Sequence, residues 1–296
     1  MYNSTKIIIF AFVISLIACS KPPQTDKPQV VVSIPPLAEF LQQIGGDRIE
    51  VYTMVPAGAS PHSYEPKPSQ LKIVSQAAMY VKVGTPIEFE IAWLDKLLAL
   101  NKNLQVVDAS QGIARLDFSD EGEHESDDPD HHNHGDVDPH IWLSLRNAQQ
   151  MVRNLCQGLS LMDPDGATEY ASNCARYTHQ LDSLDQHIKR SLADKLHREF
   201  LVYHPAWGYF ARDYQLHELS IEQEGKAPTL RGLETVIKQA EQHHIHVILA
   251  SPQFNPASAD RLAQEIHGRV ISISPMEEHY LENMKQMAQV LEATME

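Results

Sequence analysis

Three histidines stand at or just beyond a strand end or a long loop. They are His62 in PAGASPHSYEP, His140 in DVDPHIWLS and His204 in LVYHPAWGYF. A neutral imidazole is a favoured ligand for zinc, and three of them leave one tetrahedral position open. A further tract, HESDDPDHHNHGD at residues 124–136, puts His124, His131, His132 and His134 among Glu121, Glu123, Glu125, Asp127, Asp128, Asp130 and Asp136. Imidazoles mixed with carboxylates hold transition metals loosely, and a solvated polar insert is the plainer account of the same residues. Any one histidine is more often a surface residue than a ligand. His179, His187, His197, His243, His244 and His267 read that way. Trp207, Tyr209 and Phe210, just after His204, suit either the wall of a site or the core between two halves of the molecule.

To bring three such distant residues together, the chain must repeat one architecture. Apolar runs at 30–34, 49–55, 79–84 and 104–109 alternate with amphipathic segments such as PLAEFLQQIGG and IEFEIAWLDKLLAL. Strands separated by helices predict a parallel sheet covered on both faces. A second alternation follows in EFLVYH, RGLETVIKQAEQHH, IHVILA, NPASADRLAQEIHG, VISISP and the closing EEHYLENMKQMAQVLEATM. Between them, residues 164–197 read as one helix, with Leu181, Leu184, Ile188, Leu192 and Leu196 on a single stripe. The expected fold is α/β. Two similar lobes with parallel sheets flanked by helices are joined by one long rigid helix. Sites on such sheets collect at the carboxyl edge, so the metal site belongs in the interlobe cleft.

The division along the chain follows. Residues 1–18 form a lipoprotein signal peptide. Residues 19–29 form a lipidated, Pro-rich tether. Residues 30–163 form the N-terminal lobe, with the histidine-rich loop at 119–136. Residues 164–197 form the linking helix and 198–296 the C-terminal lobe. The front end carries Lys6, the apolar run IIIFAFVISLIA and then LIACS. That run is too short to span a bilayer, and it fits a processing segment. Leu16 to Cys19 match a lipobox with Cys19 as the lipidated residue. A plain secretion signal and a membrane anchor are the alternatives. Cys156 and Cys174 remain, near the facing ends of two helical segments. In an oxidising compartment they form a disulfide, and two buried free thiols are the other reading. A formal charge of -15 argues against nucleic-acid binding. There is no Gly-Lys-Ser/Thr phosphate loop.

The segments VVVSIPPLAEFLQQIGGDRIEV, VPAGASPHSYEPKPSQ, DPHIWLSLRNAQQM, YHPAWGYFARDYQL and IEQEGKAPTLRGL, in that order, resemble the zinc- and manganese-binding receptors of bacterial metal ABC importers, the ZnuA-like periplasmic solute-binding proteins. The resemblance runs from about residue 30 to the C-terminus. It implies that His62, His140 and His204 bind the metal, that the linking helix is rigid and that hinge motion is small. It implies Zn(2+) as the transported ligand and a cognate ABC permease with its ATPase as partners. It further implies a monomer anchored by lipid outside the cytoplasm, in the periplasm or at the cell surface, and no enzymatic activity. An acidic histidine loop before DPHIW is typical of zinc-preferring members.

One departure bears on the metal. The family usually has an aspartate before the proline of the last strand, where this chain has Ser274 in ISISPMEEHY. Hard cations such as manganese need oxygen ligands, so the loss favours zinc. The fourth position is left to Glu222, Glu224 or water, with Glu277, Glu278 and Glu65 as further carboxylates. Ser144 stands where the family often has aspartate. Two alternatives to a zinc receptor are a receptor for manganese or another transition metal, and a surface metal-scavenging or adhesin-like lipoprotein without a permease. A zinc hydrolase would need a general base beside the metal, and no HExxH motif supplies one.

Overall fold

In the computed structural model, which describes residues 27–117, 137–222, 229–252 and 256–295, two four-stranded parallel sheets face each other. The first holds β1 (Gln29–Val32), β2 (Glu50–Thr53), β3 (Met79–Lys82) and β4 (Gln105–Asp108), in the order β2-β1-β3-β4. Its helices are α1 (Pro35–Gly45), α2 (Pro68–Gln76), α3 (Glu88–Leu98) and α4 (Leu145–Met162). The second sheet holds β5 (Glu199–Val202), β6 (His217–Ser220), β7 (Val247–Ala250) and β8 (Arg269–Ser272), in the equivalent order β6-β5-β7-β8. Its helices are α6 (Gly208–Tyr214), α7 (Leu230–Gln242), α8 (Pro256–Glu265) and α9 (Tyr280–Thr294). The linking helix is α5 (Ala167–Ser191). Among the described residues no helix is long and apolar enough to cross a membrane.

Burial accounts for the strands. Val30, Val31 and Val32 are fully buried, as expected where helices cover both faces of a parallel sheet. In β5 the alternation of side chains divides the core. Phe200 and Val202 join a large cluster shared with the first lobe, α5 and α9, whereas Leu201 joins a smaller cluster with Ile221, Val236 and Ile248. The large cluster is continuous between the lobes. Phe40 of α1 meets Tyr280 of α9 edge-on at 4.8 Å. Each such fully buried aromatic stabilises the fold by roughly 1.5–3 kcal/mol.

Two elements differ from expectation. The linking helix stops at Ser191, six residues short of the predicted end at 197. The reason is Arg198, whose guanidinium donates to the carbonyls of Leu192, Tyr214 and Gln215 and so turns the chain into β5. Leu196, placed on the apolar stripe by spacing, is 85% exposed. The second difference is β6, which the sequence reading passed over. HELS is polar, half-buried and at a sheet edge, so it carries no apolar run.

Cys156 of α4 and Cys174 of α5 are free thiols in this structure. The two helices do bring the side chains into contact. Burial first, then the neighbouring Cys174, pushes the Cys156 thiol up to about 11. Cys19, His124, His131, His132, His134 and Glu224 lie outside the described residues.

Candidate metal centre

The three histidines lie together at the carboxyl ends of the two sheets. His62 follows β2 on a loop of turns, and Gly58 at φ +79 gives that loop its reversal. His140 precedes a tight turn at Ile141–Leu143. His204 is two residues past β5. The ring centroids of His62 and His204 are 5.4 Å apart, and those of His140 and His204 are 5.6 Å apart. Three imidazole nitrogens held ~2 Å from a tetrahedral ion put neighbouring rings about 5 Å apart, so the spacing is slightly wider than a closed site. Consistently, among the described residues no group of three or more His, Cys, Asp or Glu is arranged to hold a metal ion as it stands.

Each ring has its own carboxylate. His140 Nδ1 lies 2.8 Å from Asp138 Oδ1, His204 Nδ1 lies 2.9 Å from Glu222 Oε2, and His62 Nδ1 lies 2.7 Å from Glu88 Oε1. An Nδ1–H donated to a carboxylate leaves Nε2 as the lone-pair nitrogen and raises its basicity, the usual arrangement behind metal-bound histidine. The carboxylate on Nδ1 lies on the far side of the ring from Nε2. Glu222 Oε2 thus sits on the Nδ1 side of the His204 ring, as Asp138 and Glu88 do on theirs.

The backbone explains two of the pairs. Asp138 accepts from the amide of His140 as well as from its ring, a local turn two residues long. β5 and β6 run parallel with Glu199 opposite His217 and Val202 opposite Ser220. That offset carries two residues onward to His204 opposite Glu222. The third pair has no such local logic. Glu88 is the first residue of α3, and sequence reasoning missed it because nothing in the spacing links it to His62.

The loop of His140 is clamped from both lobes. The Tyr209 hydroxyl donates to the Asp138 carbonyl and accepts from the Leu116 amide, and Thr85 Oγ1 donates to the Pro139 carbonyl. Trp142 Nε1 donates to the Pro275 carbonyl, and the Tyr280 hydroxyl donates to the Trp142 carbonyl, both at 2.7 Å. In the second lobe, Glu218 accepts from the amides of Ala206 and Trp207 and holds the turn after His204.

The rings differ electrostatically. Burial holds His204 below the ordinary imidazole range, against the bond to Glu222, which raises it. The bond to Glu88 holds His62 above that range, against burial. Burial pushes Glu88 up, but His62 and the Glu88 backbone amide outweigh it, and the carboxyl sits below its ordinary value.

Ser274 is buried but spent on the turn. Its hydroxyl accepts from the Met276 amide, and its carbonyl accepts from Asn283 Nδ2. Pro275 and Met276, not Ser274, line the pocket with the three histidines and Glu88. Glu65 and Glu278 are exposed, and Glu277 accepts from the Glu278 amide, so none of the three walls the pocket. Ser274→Ala is expected to leave zinc affinity within about fivefold, because one neutral hydrogen bond is worth ~1 kcal/mol. A hundredfold loss in a competition titration would instead make Ser274 a ligand. Ser144 takes part in folding. Its hydroxyl caps α4 by accepting from the Asn147 amide and donates to the Asp213 carboxylate across the lobes.

The family model for ZnuA, the periplasmic component A of a zinc-uptake complex, matches residues 30–294. The chain belongs to the ZnuA family. It is 32% identical over 289 residues to a protein of Treponema pallidum (strain Nichols) described as metal-binding, covering 94% of this chain and 90% of the other. It is 30% identical over 259 residues to the high-affinity zinc uptake system protein ZnuA of Bacillus subtilis (strain 168), covering 85% and 79%. Among solved structures it resembles a zinc-bound ZnuA deletion mutant, with a TM-score of 0.81, 35% identity, and coverage of 91% of this chain and 98% of that one. The chain has the metal-receptor role of the ZnuA family, whose members are non-catalytic solute-binding receptors.

Proposed function

We propose that this chain is a high-affinity zinc receptor that captures the ion outside the cytoplasm and delivers it to an ABC permease and its ATPase. The observation that carries the reading is the set of three imidazoles, each with Nδ1 on a carboxylate, around one cleft. His62, His140 and His204 bind through Nε2, and water takes the fourth position. An all-nitrogen protein set suits zinc, whereas manganese lies at the weak end of the divalent series and prefers oxygen. Neutral imidazoles capture the ion, and protons compete with it as the pH falls. The chain acts as a monomer held to a membrane through lipidated Cys19, a reading that rests on the LIACS segment. The histidine-rich tract at 119–136 serves as an auxiliary, low-affinity metal loop.

Competition titration with zinc, manganese and a chelator tests the reading on the soluble chain from residue 20. One tight zinc site, lost in a His62→Ala, His140→Ala, His204→Ala triple variant, is expected. Tight binding retained by the triple variant would move the site to the histidine-rich tract.

Outside the cytoplasm the adjacent thiols of Cys156 and Cys174 are oxidised to a disulfide that staples α4 to α5. A staple closing a loop of this size stabilises by about 3 kcal/mol. Thermal unfolding is expected to shift upward by several degrees without reductant, and a Cys156→Ser variant is expected to show no such difference. Equal midpoints for the parent with and without reductant would assign the pair to the reduced state.

A further inference from the structure

We infer that Glu88 is the positioning residue of the metal site, aiming His62 at the ion and tying it to the loop of His140. The inference rests on the zinc reading and deepens it. Three observations carry it.

The first is that the His62 arm is the loose one. Its side chain is 37% exposed, against 10% for His140 and 11% for His204. Its loop is made of turns, held locally by bonds such as that of the His62 amide to Ser60 Oγ at 3.3 Å. Asp138 is bound to His140 by sequence neighbourhood, and Glu222 to His204 by strand register. His62 depends on a carboxylate delivered by another segment.

The second is that Glu88 stands on a built mount. Two residues further on, Glu90 is buried and accepts from the amides of Val83 and Gly84, which fixes the first turn of α3 to the end of β3. Gly84, at φ +83, has no room for a side chain, because a Cβ there would sit 2.0 Å from Asp108 Oδ1. Thr85, in the same connection, donates to the Pro139 carbonyl next to His140. The frame that carries Glu88 is therefore the frame that holds the His140 loop.

The third is chemical. A carboxylate on Nδ1 fixes the tautomer with Nε2 free and holds the ring plane, which is the contribution of an outer-shell partner. The same oxygen cannot reach an ion on Nε2 at the opposite side of the ring. Glu88 acts through His62.

The test uses four forms of the soluble chain: parent, Glu88→Gln, His62→Ala and the double variant. Zinc affinity comes from chelator competition, and the His62 tautomer from ¹⁵N-resolved imidazole spectra of the metal-free protein. Glu88→Gln is expected to lose about 10–100-fold in affinity, the range for outer-shell partners. It is also expected to release the fixed Nδ1–H tautomer, because the Gln amide can donate to Nδ1 as well as accept from it, whereas a carboxylate only accepts. In the His62→Ala background the same substitution is expected to change affinity no further, since the two residues share one interaction. A full, additive loss in that background would make Glu88 a direct ligand and overturn the inference. So would parent affinity and an unchanged tautomer in Glu88→Gln. Failure of the zinc reading is separate, because the parent itself would then lack tight binding, or His62→Ala would keep it.

Discussion

Replacing His204 with alanine is expected to lower zinc affinity by about 10²–10³-fold and to cut the stabilisation that zinc gives to the fold by roughly 3–4 kcal/mol. A structural zinc site is worth about 10–16 kcal/mol in all, so one of four donors accounts for roughly 3–4 kcal/mol. His204 has the larger effect because of where it stands. His62 and His140 come from the first lobe, and His204 is the donor among the three that comes from the second. With it, an ion bridges the lobes. Without it, an ion binds two imidazoles of a single lobe and no longer favours their closure. The substitution also leaves Glu222, only 12% exposed, without its imidazole. Ligand binding stabilises the native state in proportion to the logarithm of ligand over Kd. Thermal unfolding across a zinc series therefore separates the arms. The parent midpoint is expected to climb with zinc, His62→Ala to climb less, and His204→Ala to climb least and only at the highest zinc. A zinc-dependent climb in His204→Ala equal to that of the parent would place the ion elsewhere.

The sequence revealed the ligands more readily than their supports, and the reason is physical. A histidine at the exit of an apolar run is visible because strand and loop differ in composition. His204 has that setting, His62 follows the second apolar run by a short loop, and His140 closes the long polar loop before DPHIW. Glu222 was visible as a carboxylate near the site, but its role depended on the β5–β6 register, which needs β6 to be recognised. HELS, polar and half-buried at an edge, gives no periodic signal. Glu88 lay in a segment whose spacing indicated only a helix. Its mate sits on a loop after a different strand, and tertiary packing alone unites them. The two parallel sheets were legible because buried parallel strands are apolar on both faces. The true end of α5 was not, since Leu192 and Leu196 continue the helical spacing while Arg198, outside the pattern, ends the helix.

Asp138→Asn is expected to lower zinc affinity by about 10–100-fold while leaving the metal-free fold intact. Asp138 is 1% exposed, and a single oxygen, Oδ1, accepts from both the amide and the ring of His140. Among the described residues its second oxygen has no hydrogen-bond partner. The carboxylate's charge is thus directed at one imidazole, where it raises the basicity of the metal-facing nitrogen. Asparagine keeps the shape and the Oδ1 acceptor but removes the charge, so the loss reports basicity and not the turn. The same contact can be disturbed from the other lobe. Gly208 opens α6, and a Cβ there would lie 2.9 Å from Asp138 Oδ2 and 3.3 Å from Leu116 Cδ2. Gly208→Ala must push Asp138 or spread the lobes. It is expected to cost about tenfold in zinc affinity, the lower end of the same outer-shell range. The two substitutions share one target, so the double variant should lose less than the product of the single losses. Independent, multiplying losses in chelator competition would mean that Gly208 acts on the cleft by some route other than the carboxylate that aims His140.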